Sequence, residues 1–315
     1  MNERKPVVLV TGASGFVGRH VVPALAREGW AVRRAVRRPV GIDDEVIIKS
    51  IGPETDWHAA LTGIDAVVHL AARVHHPHEE HAVELYRKVN LAGTLHLARS
   101  AAAVGVRQFI FISTALVHGR SNGGRPPFSE DDVLTPRGLY GMSKAAAESG
   151  LRTLAHGSDM KISVIRPPLV YGVGAKGNFK LLARAVKLGL PLPFAGIRNQ
   201  RAFLAAQNLS SFILHRLAYP SGTSNFEVFL VADKEQISTA DFIDRLAKAS
   251  GKSARLFGVP PGLLSSFLSF IARQDAYESL VGSFQLNVSK AIGTGWQPQV
   301  TLDEGLRLAL SSQDV

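Results

Sequence analysis

Val7-Val8-Leu9-Val10-Thr11-Gly12-Ala13-Ser14-Gly15-Phe16-Val17-Gly18 is the stretch on which the fold turns. A β-branched, strand-like run passes through glycines and opens a helical run. Such a junction aims backbone N–H groups out of a helix N-terminus with no Cβ in the way, which is what the pyrophosphate of a dinucleotide requires. Gly12, Gly15 and Gly18 suit the three tasks of turn, close approach and helix packing. Their Gly-x-x-Gly-x-x-Gly spacing would mean little by itself, since turns are glycine-rich for conformational reasons. The strand before them and the helix after them carry the reading.

Working outward, strand-like runs at 7–10, 31–36, 45–48, 66–70, 108–113 and 161–166 alternate with helical runs at 17–28, 83–104 and 140–155. That rhythm specifies βαβ units and an α/β fold: a Rossmann-type doubly wound parallel sheet with helices on both faces. Residues 226–231 read as one more buried strand, while Gly- and Pro-rich connections at 172–177, 191–196 and 258–262 break the pattern. The expected organisation is a dinucleotide-binding domain at 1–172, to which 202–232 returns. A smaller, C-terminal substrate-binding region is expected from 173–201 and 233–315.

The composition narrows the class. With 46% hydrophobic and 20% charged residues, the chain is that of a folded globular protein. It contains no cysteine, which excludes disulfides, thiolate metal sites, iron–sulfur clusters and cysteine nucleophiles. The four-residue apolar run at 7–10 is too short for a signal peptide, and the apolar stretch at 259–272 falls short of the roughly 20 residues that span a bilayer. A cytoplasmic protein without a membrane span is expected. A net charge of +10 favours anionic partners, but the basic residues cluster no more closely than in short pairs such as Arg33-Arg34 and Arg37-Arg38, and no basic tail points to nucleic acid.

Two further features carry chemistry. The second strand ends Ala35-Val36-Arg37-Arg38, without the acidic residue that would bond a ribose 2′-OH, so NADP is favoured over NAD; Asp43 or Asp44 could still reach the ribose. Tyr140-Gly141-Met142-Ser143-Lys144 sets a phenol and an ammonium on one helix face. A free tyrosine, with a pKa near 10, is a poor acid–base at neutral pH, and a neighbouring lysine and an oxidised nicotinamide both favour its phenolate. Ser113-Thr114, at the end of a buried strand, lies where open α/β sheets place their ligands and offers a hydroxyl to the oxygen that Tyr140 protonates.

Glycine fingerprint, strand-end hydroxyl and Tyr-x-x-x-Lys, in that order, resemble the extended short-chain dehydrogenases/reductases, also called the NAD-dependent epimerase/dehydratase family. The likeness runs from Val7 to about Leu310 and takes in His69-Leu70-Ala71-Ala72, Asn90-Leu91-Ala92-Gly93-Thr94, Arg166-Pro167-Pro168-Leu169-Val170-Tyr171-Gly172, Ser289-Lys290-Ala291 and Gly295-Trp296-Gln297-Pro298. Within the family the chain looks most like bacterial nucleotide-sugar 4-reductases and UDP-glucose 4-epimerase-like proteins. The resemblance implies Tyr140 as acid–base, Lys144 on the nicotinamide ribose, and Thr114, with Ser113 the lesser candidate, on the sugar oxygen. It implies cofactor contacts from Gly12, Ser14, Gly15, Phe16, Val17 and Gly18, from Arg37 and Arg38, from Leu70, Ala71, Ala72 and Asn90, and from Tyr140, Lys144 and Pro167. Asn178 and Arg201 match positions that hold the diphosphate, whereas the family's second arginine has no clear counterpart; Arg273 and Lys180 are the candidates.

Departures from the family pattern are informative too. Family dehydratases carry an Asp-Glu pair after the strand-end threonine, where this chain has Ala115 and Leu116, so a 4,6-dehydratase is not expected. Ser50 replaces an adenine-contacting Asp, and Ala202 replaces an acidic residue after Arg201. His75, His76, His78 and His81, with Glu79 and Glu80, could bind a metal, but a loop over the substrate is the expected reading and no metal is expected. The partner implied is a nucleotide-diphosphate sugar, and a homodimer remains open. The expected activity is reduction of the 4-keto group of a UDP-linked 6-deoxy-hexosamine-type sugar for surface polysaccharide. A UDP-sugar 4-epimerase is the alternative, and a non-catalytic dinucleotide sensor a remoter one, since both Tyr140 and Lys144 are kept.

Overall fold

A computed structural model describes residues 4–39, 41, 44–74, 82–220, 224–260 and 280–311. The chain divides into two compact units: Met1–His118 with Val133–Pro167 and Ser210–Leu230, and Gly119–Asp132 with Pro168–Leu209 and Val231–Val315.

The first unit is built on seven strands, β1 (Val7–Thr11), β2 (Ala31–Val36), β3 (Glu45–Ile47), β4 (Ala66–His69), β5 (Gln108–Ile112), β6 (Lys161–Arg166) and, later in the chain, β9 (Phe226–Leu230). All pair in parallel, in the order β3-β2-β1-β4-β5-β6-β9. The order reverses direction between β1 and β4, and the crevice at the carboxyl ends of those two strands is the topological switch point of the sheet. Near-continuous apolar runs fit strands covered on both faces, and Leu9, Val67, Phe109, Phe111 and Val164 are fully buried.

Helices α1 (Phe16–Arg27), α2 (His58–Leu61), α3 (Val83–Tyr86), α4 (Thr94–Ala103) and α5 (Gly138–Ala155) cover the sheet. Between α3 and α4, residues Arg87–Gly93 wind as a π-helix, so the single helical run expected over 83–104 is widened in its middle. The widening carries Asn90 into the interior, where it is 1% exposed.

In the second unit, β7 (Leu169–Tyr171) and β8 (Phe203–Ala205) form a two-stranded parallel sheet that the sequence pattern did not announce. With it go α6 (Asn178–Lys187), the start of α7 (Ala206–Ala218), α8 (Thr239–Ala249), α9 (Ser289–Gly293) and α10 (Leu302–Leu310). The buried Asp233 carboxylate organises them. It accepts the Tyr171 hydroxyl at 2.7 Å, the Ala205 N–H at 3.0 Å and the Asn208 amide at 2.7 Å. Phe203 stacks on Phe242 of α8 at 4.0 Å, and α10 opens on a Thr301/Glu304 capping box.

Candidate active site

At the carboxyl end of β1 the chain turns sharply. Gly12 has φ +72°, and a Cβ there would come within 2.8 Å of the Ala71 backbone nitrogen. The Gly15 N–H donates to the Gly12 carbonyl at 2.9 Å, and Gly15 caps α1 in extended conformation without a side-chain hydrogen bond. A Cβ on Gly18 would lie 2.4 Å from the carbonyl oxygens of Gly12 and Ala13. Gly12 therefore serves the turn and the packing against the segment after β4, and Gly18 seats the helix. Ser14 and Gly15 are exposed, Phe16 and Val17 half-buried, and the first turn of α1 carries no acidic residue. A helix start that is uncapped, uncharged and open in this way fits a pyrophosphate.

Behind the turn lies a buried polar bridge that sequence reasoning did not single out. The Thr11 hydroxyl lies 2.6 Å from His69 Nδ1 and accepts the Ala71 N–H at 3.3 Å, while His69 Nε2 lies 2.9 Å from the Thr94 hydroxyl. His69 is fully buried and stacked on Phe111 at 5.8 Å. Burial, with the nearby Lys144 charge adding, pushes its pKa down to about 3, so it is neutral at physiological pH. The bridge ties β1 to β4 at the switch point and places Leu70, Ala71 and Ala72, all half-buried, beside Gly12.

Helix α5 starts at Gly138, two residues before the expected position, and so sets Tyr140 in its first turn. Tyr140 is half-buried; burial, then Tyr86, pushes its pKa up to about 12. Lys144, one turn on, is 1% exposed, donates to the Ile112 carbonyl at 2.7 Å and lies 4.3 Å from the centre of the Phe111 ring. Burial brings its pKa down to about 7 against the opposing pull of Glu148. In the chain by itself the tyrosine is thus a phenol rather than the phenolate that a cationic partner would favour. Asn90 joins the cluster: it accepts the Arg73 N–H at 2.7 Å and donates to Ser143 at 3.0 Å, whose hydroxyl donates to the Tyr140 carbonyl at 2.8 Å.

The two strand-end hydroxyls separate. The Ser113 hydroxyl donates to Glu148, deep under α5. Glu148 also receives Arg166 Nη2 at 2.6 Å and Nε at 3.1 Å, and Arg166 Nη1 reaches His118 Nε2 at 3.0 Å. All four of these residues are buried. Thr114 instead accepts the Leu116 N–H at 3.2 Å, which leaves its hydroxyl proton to donate. Pro167 is buried next to Arg166, its carbonyl accepting the Ala115 N–H at 2.8 Å.

The remaining expected residues lie farther apart. Arg37 and Arg38 are exposed just past β2, with Asp44 in the left-handed conformation before β3. Asn178 opens α6 and Arg201 lies in the same second unit, its Nη1 donating to the Gly282 carbonyl at 2.5 Å. Burial lowers the Arg201 pKa to about 10, which leaves it charged. Lys180 is exposed on α6; Asp43, His75 to His81 and Arg273 fall outside the described residues. Among the described residues no group of histidines and carboxylates could hold a metal ion, and no helix is long and apolar enough to cross a membrane.

Switch-point cradle, Tyr140, Lys144 and strand-end threonine define a dinucleotide-dependent oxidoreductase of the extended short-chain type, and the sequence profile of the NAD dependent epimerase/dehydratase family matches residues 8–232. The chain belongs to that family and is an enzyme of its epimerase and reductase class. It is 38% identical to a UDP-glucose 4-epimerase of Vibrio cholerae over 95% of this chain and 93% of that one. With a GDP-6-deoxy-D-mannose reductase of Pseudomonas aeruginosa it shares 27% identity over 96% of each chain. Among solved structures it is similar to RMD from Pseudomonas aeruginosa, complexed with NADPH, with a TM-score of 0.74, 26% identity and coverage of 97% of this chain and 98% of that one.

Proposed function

We propose that this chain reduces the 4-keto group of a UDP-linked, 6-deoxy-hexosamine-type sugar, in the cytoplasm, with NADPH as reductant. The observation that carries this reading is the end of β2, where two exposed arginines stand and no carboxylate follows Val36. Arginines there favour a 2′-phosphate, and a carboxylate there would oppose one. A cofactor that must be exchanged every turnover suits a reductase, and Ser50 in place of an adenine-gripping Asp weakens the hold further. The reductase relative and the NADPH complex point the same way.

When bound, the nicotinamide dinucleotide supplies the hydride that goes to C4 of the sugar. The uncapped start of α1 and Arg37 and Arg38 are the groups that would hold its phosphates. Tyr140, held as a phenol by burial, gives its proton to the oxygen at C4 as negative charge develops there. Thr114 donates a hydrogen bond to the same oxygen, and the buried Lys144 stabilises the phenolate that Tyr140 leaves behind. Asn178 and Arg201 take the diphosphate of the substrate.

The similarity to the Vibrio cholerae enzyme favours a second reading, a UDP-sugar 4-epimerase, in which the same side chains oxidise and re-reduce one substrate. Offering purified protein a panel of 4-keto UDP- and dTDP-sugars while following NADPH absorbance separates the two. NADPH loss in proportion to a 4-keto UDP-sugar, without interconversion of UDP-glucose and UDP-galactose, is the expected result. Stoichiometric, tightly held NAD with epimerisation that needs no added cofactor would replace the reductase by the epimerase.

A further inference from the structure

Between Asp159 and Glu227 the sequence contains nine lysines and arginines and not one aspartate or glutamate. Much of that charge surfaces on α6 in the second unit. The helix buries Phe179, Ala183 and Val186, and its other face exposes Lys180, Leu181, Arg184, Lys187 and Leu188. Leu181 is 66% exposed and Leu188 is 60% exposed, and the cations between them, Arg184 and Lys187, are exposed too.

The face continues beyond the helix. Lys252 donates to the Lys187 carbonyl and Arg255 to that of Gly189 at 3.4 Å, so both cations gather at the carboxyl end of α6. Leu192 and Leu256 form a parallel bridge, in which the Leu192 N–H donates to the Arg255 carbonyl at 2.8 Å and the Phe257 N–H to the Leu192 carbonyl at 3.0 Å, and the two segments so joined expose Leu190 and Phe257. The carboxylates of α8, which packs on α6, are engaged within their own helix: Asp244 pairs with Lys248 at 2.7 Å and Asp241 accepts the Ser238 hydroxyl at 2.7 Å.

Isolated exposed leucines need no explanation, but four large apolar side chains set among five exposed cations on one continuous face do. A free phosphorylated metabolite or a nucleic acid would use the cations and leave the leucines wet. A bilayer surface uses both, with lysine and arginine at anionic headgroups and Leu or Phe at the acyl boundary. We propose that this face of the second unit docks peripherally on an anionic lipid surface. The proposal is independent of the reaction catalysed.

Co-sedimentation of the full chain with vesicles at physiological ionic strength tests it. Binding is expected to phosphatidylcholine vesicles that contain phosphatidylglycerol and not to pure phosphatidylcholine. Leu181→Ser with Leu188→Ser leaves the charge untouched and should lower partition about tenfold, as should Lys180→Glu with Arg184→Glu. These side chains are exposed, so thermal melts should match the parent. Arg27→Glu with Arg99→Glu, exposed on α1 and α4, makes the same change in net charge and should bind like the parent. Protein that stays in solution with anionic vesicles would overturn the proposal in favour of a soluble polyanion. Serine variants that bind undiminished, or loss caused equally by the α1 and α4 reversals, would reduce it to unspecific attraction by net charge.

Discussion

Tyr140 and Lys144 lie one helical turn apart, and burial drives their protons in opposite senses. The phenol is held protonated, with a pKa near 12, while the ammonium is brought to about 7. A phenol that must pass its proton to a developing oxyanion contributes through that one bond. Tyr140→Phe should therefore keep dinucleotide affinity while turnover falls about 10² to 10⁴-fold, the usual size of general acid–base catalysis. Steady-state kinetics beside cofactor titration by fluorescence checks both halves, and near-normal turnover would remove Tyr140 from the chemistry. Arg37 and Arg38 make a separate claim at this scale. Converting both to alanine should weaken NADPH binding more than NADH binding, because only the former offers a 2′-phosphate. Equal losses for the two cofactors would show that the pair does not read it.

At the scale of elements, α5 is held by more than its apolar stripe. Glu148, one turn beyond Lys144, gathers Ser113 from the end of β5 and Arg166 from the end of β6, and Arg166 reaches His118. With the carboxylate gone, a guanidinium that is 2% exposed would lose its ion pair with Glu148. Breaking a buried pair from one side typically costs about 3–5 kcal/mol. Glu148→Ala should lose stability of that size in urea unfolding, whereas Glu148→Gln with Arg166→Met, which removes both charges, should lose less. A single mutant no weaker than the double would mean that the pair is not desolvated as described. The Tyr140 to Lys144 spacing was readable because two chemically distinctive residues one turn apart share a face whatever the helix packs on. Glu148 passed unread because a glutamate four residues after a lysine is ordinarily a solvated surface pair, and only the sheet beneath α5 buries it.

Taken as a whole, the molecule folds around groups that acid should attack. His69 sits between Thr11 and Thr94 with a pKa near 3, against about 6.5 for an unfolded histidine. Over that interval the unfolded chain binds the proton and the folded chain does not. The stability due to neutral His69 is therefore complete above about pH 6.5 and is lost as pH falls toward 3, by about 5 kcal/mol at most. Lys144 acts in the same sense at higher pH: with a folded value near 7 and an unfolded value near 10.5, it makes stability rise from neutrality into the alkaline range. Melting temperature should accordingly fall as pH drops below 6.5, with a shallower slope in His69→Gln, which keeps a polar group between the two threonines and loses the titration. An unchanged slope would assign the acid sensitivity to other groups.

What the sequence determined by itself is what short-range physics governs. Apolar β-branched runs of strand length, alternating with helical runs, dictate a parallel sheet flanked by helices. The three glycines dictate a turn that opens a helix, and Tyr140 with Lys144 follows from helical periodicity alone. Tertiary structure decided the rest. The strand order, and with it the switch point between β1 and β4, depends on pairing between segments dozens of residues apart, which local pattern does not encode. The placing of Gly119–Asp132 in the second unit, the widening at Arg87–Gly93 and the pairing of β7 with β8 have the same origin. So does the fate of two neighbouring hydroxyls. The sequence preferred Thr114 to Ser113 only through a resemblance, whereas the fold past the end of β5 commits Ser113 to Glu148 beneath α5 and leaves Thr114 a proton to donate.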